Sequence, residues 1–229
     1  VVGEYTPNSL PLDIQQQIST GLTTIDTNGT VLPGLATSWV ATDSGKTFTF
    51  FLRNDKIWHN NKPVEAKDIN YNIRNVTFTF KDALTLKASL NNAYSPFPSL
   101  LSKPLFQPGL RGFGEYKVSH IRLAGDKVSY LRLTPFAVFP ADNRSLEYKF
   151  YRTESAAVLA YKLGEVDQLR DLTSAYDLSS WGKTTVQEHT KYNRIITLFF
   201  NVSQKFLQDK NVRHALAFSL PDIPGERAY

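Results

Sequence analysis

Residues 32–53 read LPGLATSWVATDSGKTFTFFLR, and the second half of that stretch decides the fold class. Phe48, Phe50 and Leu52 alternate with Thr47, Thr49 and Phe51, the period of two that gives a strand one well-buried face. Ser44-Gly45 just before it is a turn dipeptide, as is Asn28-Gly29 upstream, so this region consists of β-rich runs joined by tight turns. On the N-terminal side, Leu10, Ile14, Ile18 and Leu22 fall on one face at helical spacing. They predict an amphipathic helix over residues 10–22, with Gly21 placed to end it.

On the C-terminal side, Glu65-Ala66-Lys67-Asp68 predicts a short helix running to Ile73. NVTFTFKDALTLKASL then reads as a hairpin joined at Lys81-Asp82. Pro96, Pro98, Pro104 and Pro108 make residues 94–114 mostly loop, with one short helix at 99–102. EYKVSHIRL and KVSYLRLT form a second β block around the turn Ala124-Gly125-Asp126, followed by the strand LEYKFYR. A helix over residues 154–163 has Thr153 as N-cap, Ala156, Leu159, Ala160 and Leu163 as its apolar stripe, and Gly164 as its stop. RIITLFFNV predicts a last strand, and a helix at 211–220 ends at Pro221. This order of elements predicts a mixed α/β (α+β) fold with largely antiparallel neighbours.

The chain has 229 residues, of which 41% are hydrophobic and 21% charged, enough to bury a sizeable core. Lys and Arg number 26 against 21 Asp and Glu, a formal charge of +5. The cations Arg53, Lys56, Lys62, Lys67, Arg74 and Lys81 form no run, which predicts a solvated surface rather than a nucleic-acid groove. The same charge suits a position beside anionic lipid or wall polymer. No cysteine is present, which excludes disulfides, thiolate metal sites and thiol nucleophiles. No apolar stretch is long enough to span a bilayer, and the first ten residues lack the regions of a signal peptide. Methionine is absent, position 1 included, which reads as a processed or trimmed chain.

Catalytic and metal chemistry find little footing. His59, His120, His189 and His214 show no helical pair spacing, so no metal is expected, and the default role of His59 and His214 is a hydrogen-bonded structural one. Asp167 and Asp171 lie four apart beyond Gly164, where paired carboxylates are ordinarily solvated. No GxSxG elbow occurs, and Gly112-Phe113-Gly114 lacks the third glycine of a phosphate-binding loop. The sequons at Asn28, Asn75, Asn143 and Asn201 are the chance yield of an Asn- and Thr-rich chain. No enzyme activity and no cofactor are expected.

Five phrases, in order, carry a resemblance. They are Leu32-Pro33-Gly34-Leu35-Ala36 with Trp39 and the DSGKTFTF-x-LR run, and Trp58-His59-Asn60-Asn61-Lys62-Pro63 with Ala66-Lys67-Asp68-Ile69. Then come Gly112-Phe113-Gly114-Glu115-Tyr116-Lys117-Val118, Leu163-Gly164-Glu165-Val166-Asp167, and Phe200-Asn201 with Val212-Arg213-His214-Ala215-Leu216. Together they resemble the family 5 extracellular solute-binding proteins, the dipeptide- and oligopeptide-binding group.

That resemblance implies a type II periplasmic-binding-protein fold, a two-lobed clamp that closes over its ligand. Lobe I would be formed by residues 1–43 and 109–192 with an inserted subdomain at 44–108, and a crossing strand with the start of lobe II by 193–229, the chain ending before most of lobe II. It implies a monomeric, extracytoplasmic protein, in the periplasm or at the outer face of the cytoplasmic membrane, with or without a lipid anchor. Its partners would be a peptide ligand and ABC permease subunits, with no nucleic acid. The same fold also takes up oligosaccharides, nickel or haem in relatives, and a sensor or interaction module is a further alternative. The resemblance places Asn8, Ser9 and Leu10 at the ligand cleft, together with Thr197, Phe199 and Asn201, although at least one of Phe199 and Phe200 is expected in the core.

Overall fold

The computed structural model describes residues 1–136, 144–170, 172–187 and 197–220. The chain divides into two units, Val1–Ser174 and Ala175–Tyr229.

In the first unit a 3₁₀ turn, Pro7–Ser9, leads into helix α1 (Leu12–Ile18). Strands β1 (Thr23–Ile25) and β2 (Val31–Pro33) pair antiparallel around the Asn28-Gly29 turn, where Gly29 has φ +82°. Strands β3 (Ala36–Thr42), β4 (Thr47–Leu52), β5 (Val76–Asp82) and β6 (Thr85–Leu90) form an antiparallel sheet in the order β3-β4-β6-β5. Helix α2 (Phe97–Leu100) precedes a second antiparallel sheet, β7 (Tyr116–Ala124), β8 (Lys127–Pro135) and β9 (Leu146–Lys149), and helix α3 (Glu154–Lys162) follows. The first unit is thus a mixed α/β fold whose described sheets are antiparallel.

Alternation in β4 produces the buried face that its sequence demands. Phe48, Phe50 and Leu52 are buried while Phe51 is 41% exposed, and the register sets Phe48 against Ala88 and Phe50 against Leu86. These side chains form one core with Leu35, Trp58, Phe97, Leu101 and Phe113. Phe48 meets Phe97 at 5.2 Å between ring centroids, and Trp58 meets Phe113 edge-on at 5.1 Å. Each such aromatic contributes about 2–3 kcal/mol by burial. A second core gathers Leu10, Ile14 and Ile18 under Tyr116, Val128, Leu131 and Leu133, so α1 covers the β7-β8-β9 sheet.

Several sequence expectations need correction. The helix expected from Glu65 to Ile73 shrinks to one 3₁₀ turn, Ala66–Asp68. Asp68 spends its carboxylate there, with Oδ2 accepting from the Trp58 indole at 3.1 Å and from the Glu65 amide at 3.2 Å. α1 stops at Ile18, with Ser19 extended. Gly21 therefore caps nothing; a Cβ there would lie 2.2 Å from the Leu101 carbonyl oxygen, so its role is close backbone approach. The short helix at 99–102 sits two residues earlier, at Phe97–Leu100.

Helix α3 ends near Gly164 (φ +75°) as expected, but its buried residues are Ala157, Val158 and Ala160. Leu159 and Leu163 are 57% and 66% exposed, because helical spacing identifies a stripe without saying which flank of it is buried. The cap itself forms, with Thr153 Oγ1 accepting from the Ala156 amide at 3.3 Å. Replacing Thr153 by Ala is expected to cost about 1 kcal/mol, read as a lower urea midpoint with an unchanged slope.

In the second unit the described elements are two 3₁₀ turns, Tyr176–Ser180 and Lys205–Gln208, and helix α4 (Lys210–Phe218), which starts one residue before its predicted position. Residues 194–196 of the expected strand RIITLFFNV lie outside the described residues. Its remainder from Thr197 to Val202 is not strand, since no described segment pairs with it.

Candidate functional site

Asn8 and Ser9 sit in the Pro7–Ser9 turn, and Ser9 is consumed by it. Its hydroxyl accepts from the Thr6 amide at 2.9 Å and lies 2.9 Å from the Thr6 hydroxyl. Asn8 is exposed on the same turn. Leu10 is 2% exposed and packs into the core over α1, so its side chain fixes the turn rather than facing solvent. Its carbonyl accepts from Gln15 Nε2 at 2.5 Å.

Immediately after this turn, the first turn of α1 presents Asp13, which pairs with Arg170 at 3.2 Å across 157 residues of sequence. Arg170 Nε also donates to Gln168 at 3.4 Å. The segment beyond α3 is clasped back onto that helix by Glu154, whose two carboxylate oxygens accept from the amide and hydroxyl of Thr173 at 2.9 and 3.0 Å. Burial pushes the half-buried Tyr148 hydroxyl above its ordinary value, an effect opposed by Arg170 and reinforced by Asp13 and Tyr116. An exposed amide, an ion pair and a phenol therefore surround the start of α1, donors and acceptors suited to a polar ligand. The sequence reading missed Asp13, Tyr148 and Arg170, which stand alone in their local sequence and meet only through the fold.

The other predicted residues belong to the second unit. Thr197 and Asn201 are exposed, and Phe199 is 87% exposed. Phe200 is only half-buried, so neither phenylalanine is the core residue expected. Asn201 Oδ1 accepts from the Ser203 amide at 3.1 Å, turning the chain toward Lys205–Gln208. Asp209 then caps α4 through the Asn211 amide at 2.8 Å, and Arg213 donates to the carbonyls of Leu207 and Gln208 at 2.8 and 2.9 Å. These bonds are local scaffold, and residues 197–201 stand open beside them.

His59 is a structural joint. Its Nδ1 accepts from the Gly112 amide at 3.2 Å, its Nε2 faces the Gly114 carbonyl at 3.1 Å, and its ring lies 4.7 Å from that of Phe136. Burial holds its pKa below the ordinary value; the hydrogen bond to Gly114 opposes this and Lys117 adds to it. Among the described residues no three His, Cys, Asp or Glu side chains come together as metal ligands, and no helix is long and apolar enough to cross a membrane. Indentations lined by Glu65, Phe80 and Asp82, and by Gly3, Lys127 and Phe150, are open and contain none of the predicted site residues.

The fold is that of the type II periplasmic binding proteins. NikZ of Campylobacter jejuni, solved in complex with Ni(L-His), superposes with a TM-score of 0.70 at 21% identity, over 90% of this chain and 48% of that one. The sequence matches the bacterial extracellular solute-binding proteins, family 5 Middle, over residues 30–79 and 74–222, and the chain belongs to that family. A putative binding protein of Haemophilus influenzae is 24% identical over 86% of this chain and 43% of its own length. The periplasmic oligopeptide-binding protein OppA of the same organism is 45% identical over 56 residues, 24% of this chain and 10% of its own length. The chain spans less than half the length of each of these relatives.

Proposed function

We propose that the chain is the first-lobe portion of the substrate-binding component of an ABC importer. In this reading it takes di- or oligopeptides outside the cytoplasmic membrane and hands them to permease subunits. Residues 1–43 and 109–192 would form the lobe, 44–108 its inserted subdomain, and 193–229 the crossing into the partner lobe. The observation that carries the proposal is the polar surface around the start of α1, where Asn8 is exposed and Arg170 is held by Asp13. A peptide offers a carboxylate and repeated amide groups, which such donors and acceptors can bind whatever the side chains are. The oligopeptide-binding protein among the relatives supports the same ligand class. Closure of two lobes over the ligand would then convert binding into the shape presented to the permease.

Calorimetric titration of the protein that carries this chain with mixed di- to pentapeptides tests the reading. Micromolar or tighter binding is expected, whereas no heat at millimolar peptide, or heat only with a nickel–histidine complex, would overturn it. Arg170→Ala is expected to weaken peptide binding about tenfold by removing a charge-assisted partner. Because the Asp13–Arg170 pair is solvent-exposed, the same change should alter stability by less than about 1 kcal/mol.

A further inference from the structure

The outer face of the β7-β8-β9 sheet carries a band of cations that the candidate site does not use. Alternation in β8 buries Leu131 and Leu133 and turns Tyr130 and Arg132 outward, and in β7 it buries Tyr116 and turns Lys117 outward. The register shift between Val118 and His120 then brings His120 and Arg122, set against Arg132 and Tyr130, onto that same outer face. The register places Arg132 between His120 and Glu147, and Tyr130 between Arg122 and Lys149. Directly opposed side chains lie about 5 Å apart, so the group is one contiguous patch. The Arg122 guanidinium sits 5.5 Å from the Tyr130 centroid, and the Lys117 ammonium sits 5.7 Å from that of Phe136. Arg132 pairs with Glu147 at 3.5 Å and Lys149 with Glu165 at 3.6 Å. Among the described residues no carboxylate pairs with Lys117 or Arg122.

Lys117, Arg122, Arg132 and Lys149 share these strands' outer face with a single carboxylate, Glu147. No large aliphatic side chain stands at the centre of the patch. A protein partner would need such an anchor, since interface cores are depleted of charge and enriched in apolar groups. A lipid surface needs only positive charge summed near the plane of its headgroups, and a flat sheet face delivers that.

We infer that this face docks on an anionic bilayer, with Lys117, Arg122 and Arg132 against headgroup phosphates. The inference rests on the proposed extracytoplasmic role, in which the protein must come to the membrane surface to deliver its ligand. Docking through the sheet would concentrate it beside the permease while leaving the surface around Asn8 and Arg170 unoccupied.

Sedimentation of the chain with vesicles of equal parts phosphatidylglycerol and phosphatidylcholine, against pure phosphatidylcholine at low salt, tests this. Binding to the anionic vesicles alone is expected, weakening as salt rises. Each cation removed should cost about fivefold in partitioning, so the double variant K117E/R122E should lose at least about twentyfold. The variant K81E/K87E, which makes the same change in net charge on exposed positions elsewhere, should lose less than about threefold. Should the reversal disturb folding, K117S/R122S tests the same face and should lose at least about tenfold.

Equal losses in the two charge-reversal variants, or no anionic binding at all, would overturn the inference. So would retention on polyglutamate beads without retention on vesicles, which would assign the face to an acidic protein. Peptide affinity should be unchanged in K117E/R122E. A protein that docks through this face yet ignores peptide would sink the transport reading and leave this one standing.

Discussion

Replacing Gly112 by Ala is expected to destabilise the first unit by about 3 kcal/mol or more, one of the largest effects of any single-methyl addition in the chain. A Cβ at that position would lie 2.0 Å from the Ile18 carbonyl oxygen and 2.7 Å from its carbon. Both are backbone atoms at the end of α1, so no side chain can swing aside. Two residues on, a Cβ at Gly114 would meet the same carbonyl group at 2.7 to 2.8 Å, and the Gly114 amide donates to the Ile18 oxygen at 2.8 Å. The pair lets the loop before β7 lie directly on the end of α1, joining the core around Trp58 and Phe113 to the core around Ile14 and Ile18. Guanidinium unfolding of Gly112→Ala should show a much lower midpoint, whereas Gly109→Ala, with open space around its Cβ, should lose far less and only through its φ of +82°. Equal midpoints for Gly112→Ala and the parent chain would mean that the loop and helix are not in contact in solution.

The sequence placed these glycines inside a recognisable phrase and excluded a phosphate-binding loop, but that leaves out the physics that requires glycine here. Neither Gly112 nor Gly114 has a positive φ. What requires glycine is the approach of a backbone nearly a hundred residues away, which no local pattern records. The strands were legible for the opposite reason: period-two alternation is local, and β4, the β5-β6 hairpin and the β7-β8 hairpin all formed where their patterns lay. Short helices were legible only in part. The helix expected from Glu65 became a single turn because Asp68 is drawn to the Trp58 indole, a tertiary contact that outweighs weak local propensity.

The site divides along the same line. Asn8 came from the order of phrases and lies exposed, but its neighbours Asp13 and Arg170 are 157 residues apart, and only the packing of α1 near the segment after α3 unites them. Leu10 sits in the same turn and is buried, since the periodicity that flags an apolar face says nothing of which residues a ligand could reach. In the second unit, hydrophobicity argued for a buried phenylalanine at 199 or 200. Burial needs a surface to bury against: among the described residues of that unit Leu178 is buried and Phe200 half-buried, while Phe199, Phe206 and Phe218 are exposed.

Stability should fall as the pH drops below about 6.5, the ordinary value for histidine, and His59 is the group responsible. The Gly112 amide donates to Nδ1, so that nitrogen must carry a lone pair; the hydrogen therefore sits on Nε2 and donates to the Gly114 carbonyl. Protonation would set one N–H against another and open the loop that Gly112 and Gly114 anchor. Burial and the Lys117 charge depress the folded-state pKa, so between that value and 6.5 the unfolded chain binds a proton that the folded chain refuses. The contribution is fully present above pH 6.5 and is lost as pH falls through the folded value. A single proton limits the slope to about 1.4 kcal/mol per pH unit, and solvent at this half-buried ring reduces it further. His59→Ala should cost about 2 kcal/mol at pH 7.5 by leaving the Gly112 amide and Gly114 carbonyl without partners. His59→Gln, which offers a donor and an acceptor but no titration, should recover part of that loss and flatten the profile below pH 6.5. Urea midpoints across that range read both effects, and a parent profile as steep in His59→Gln as in the unmodified chain would move the acid-labile joint to another residue.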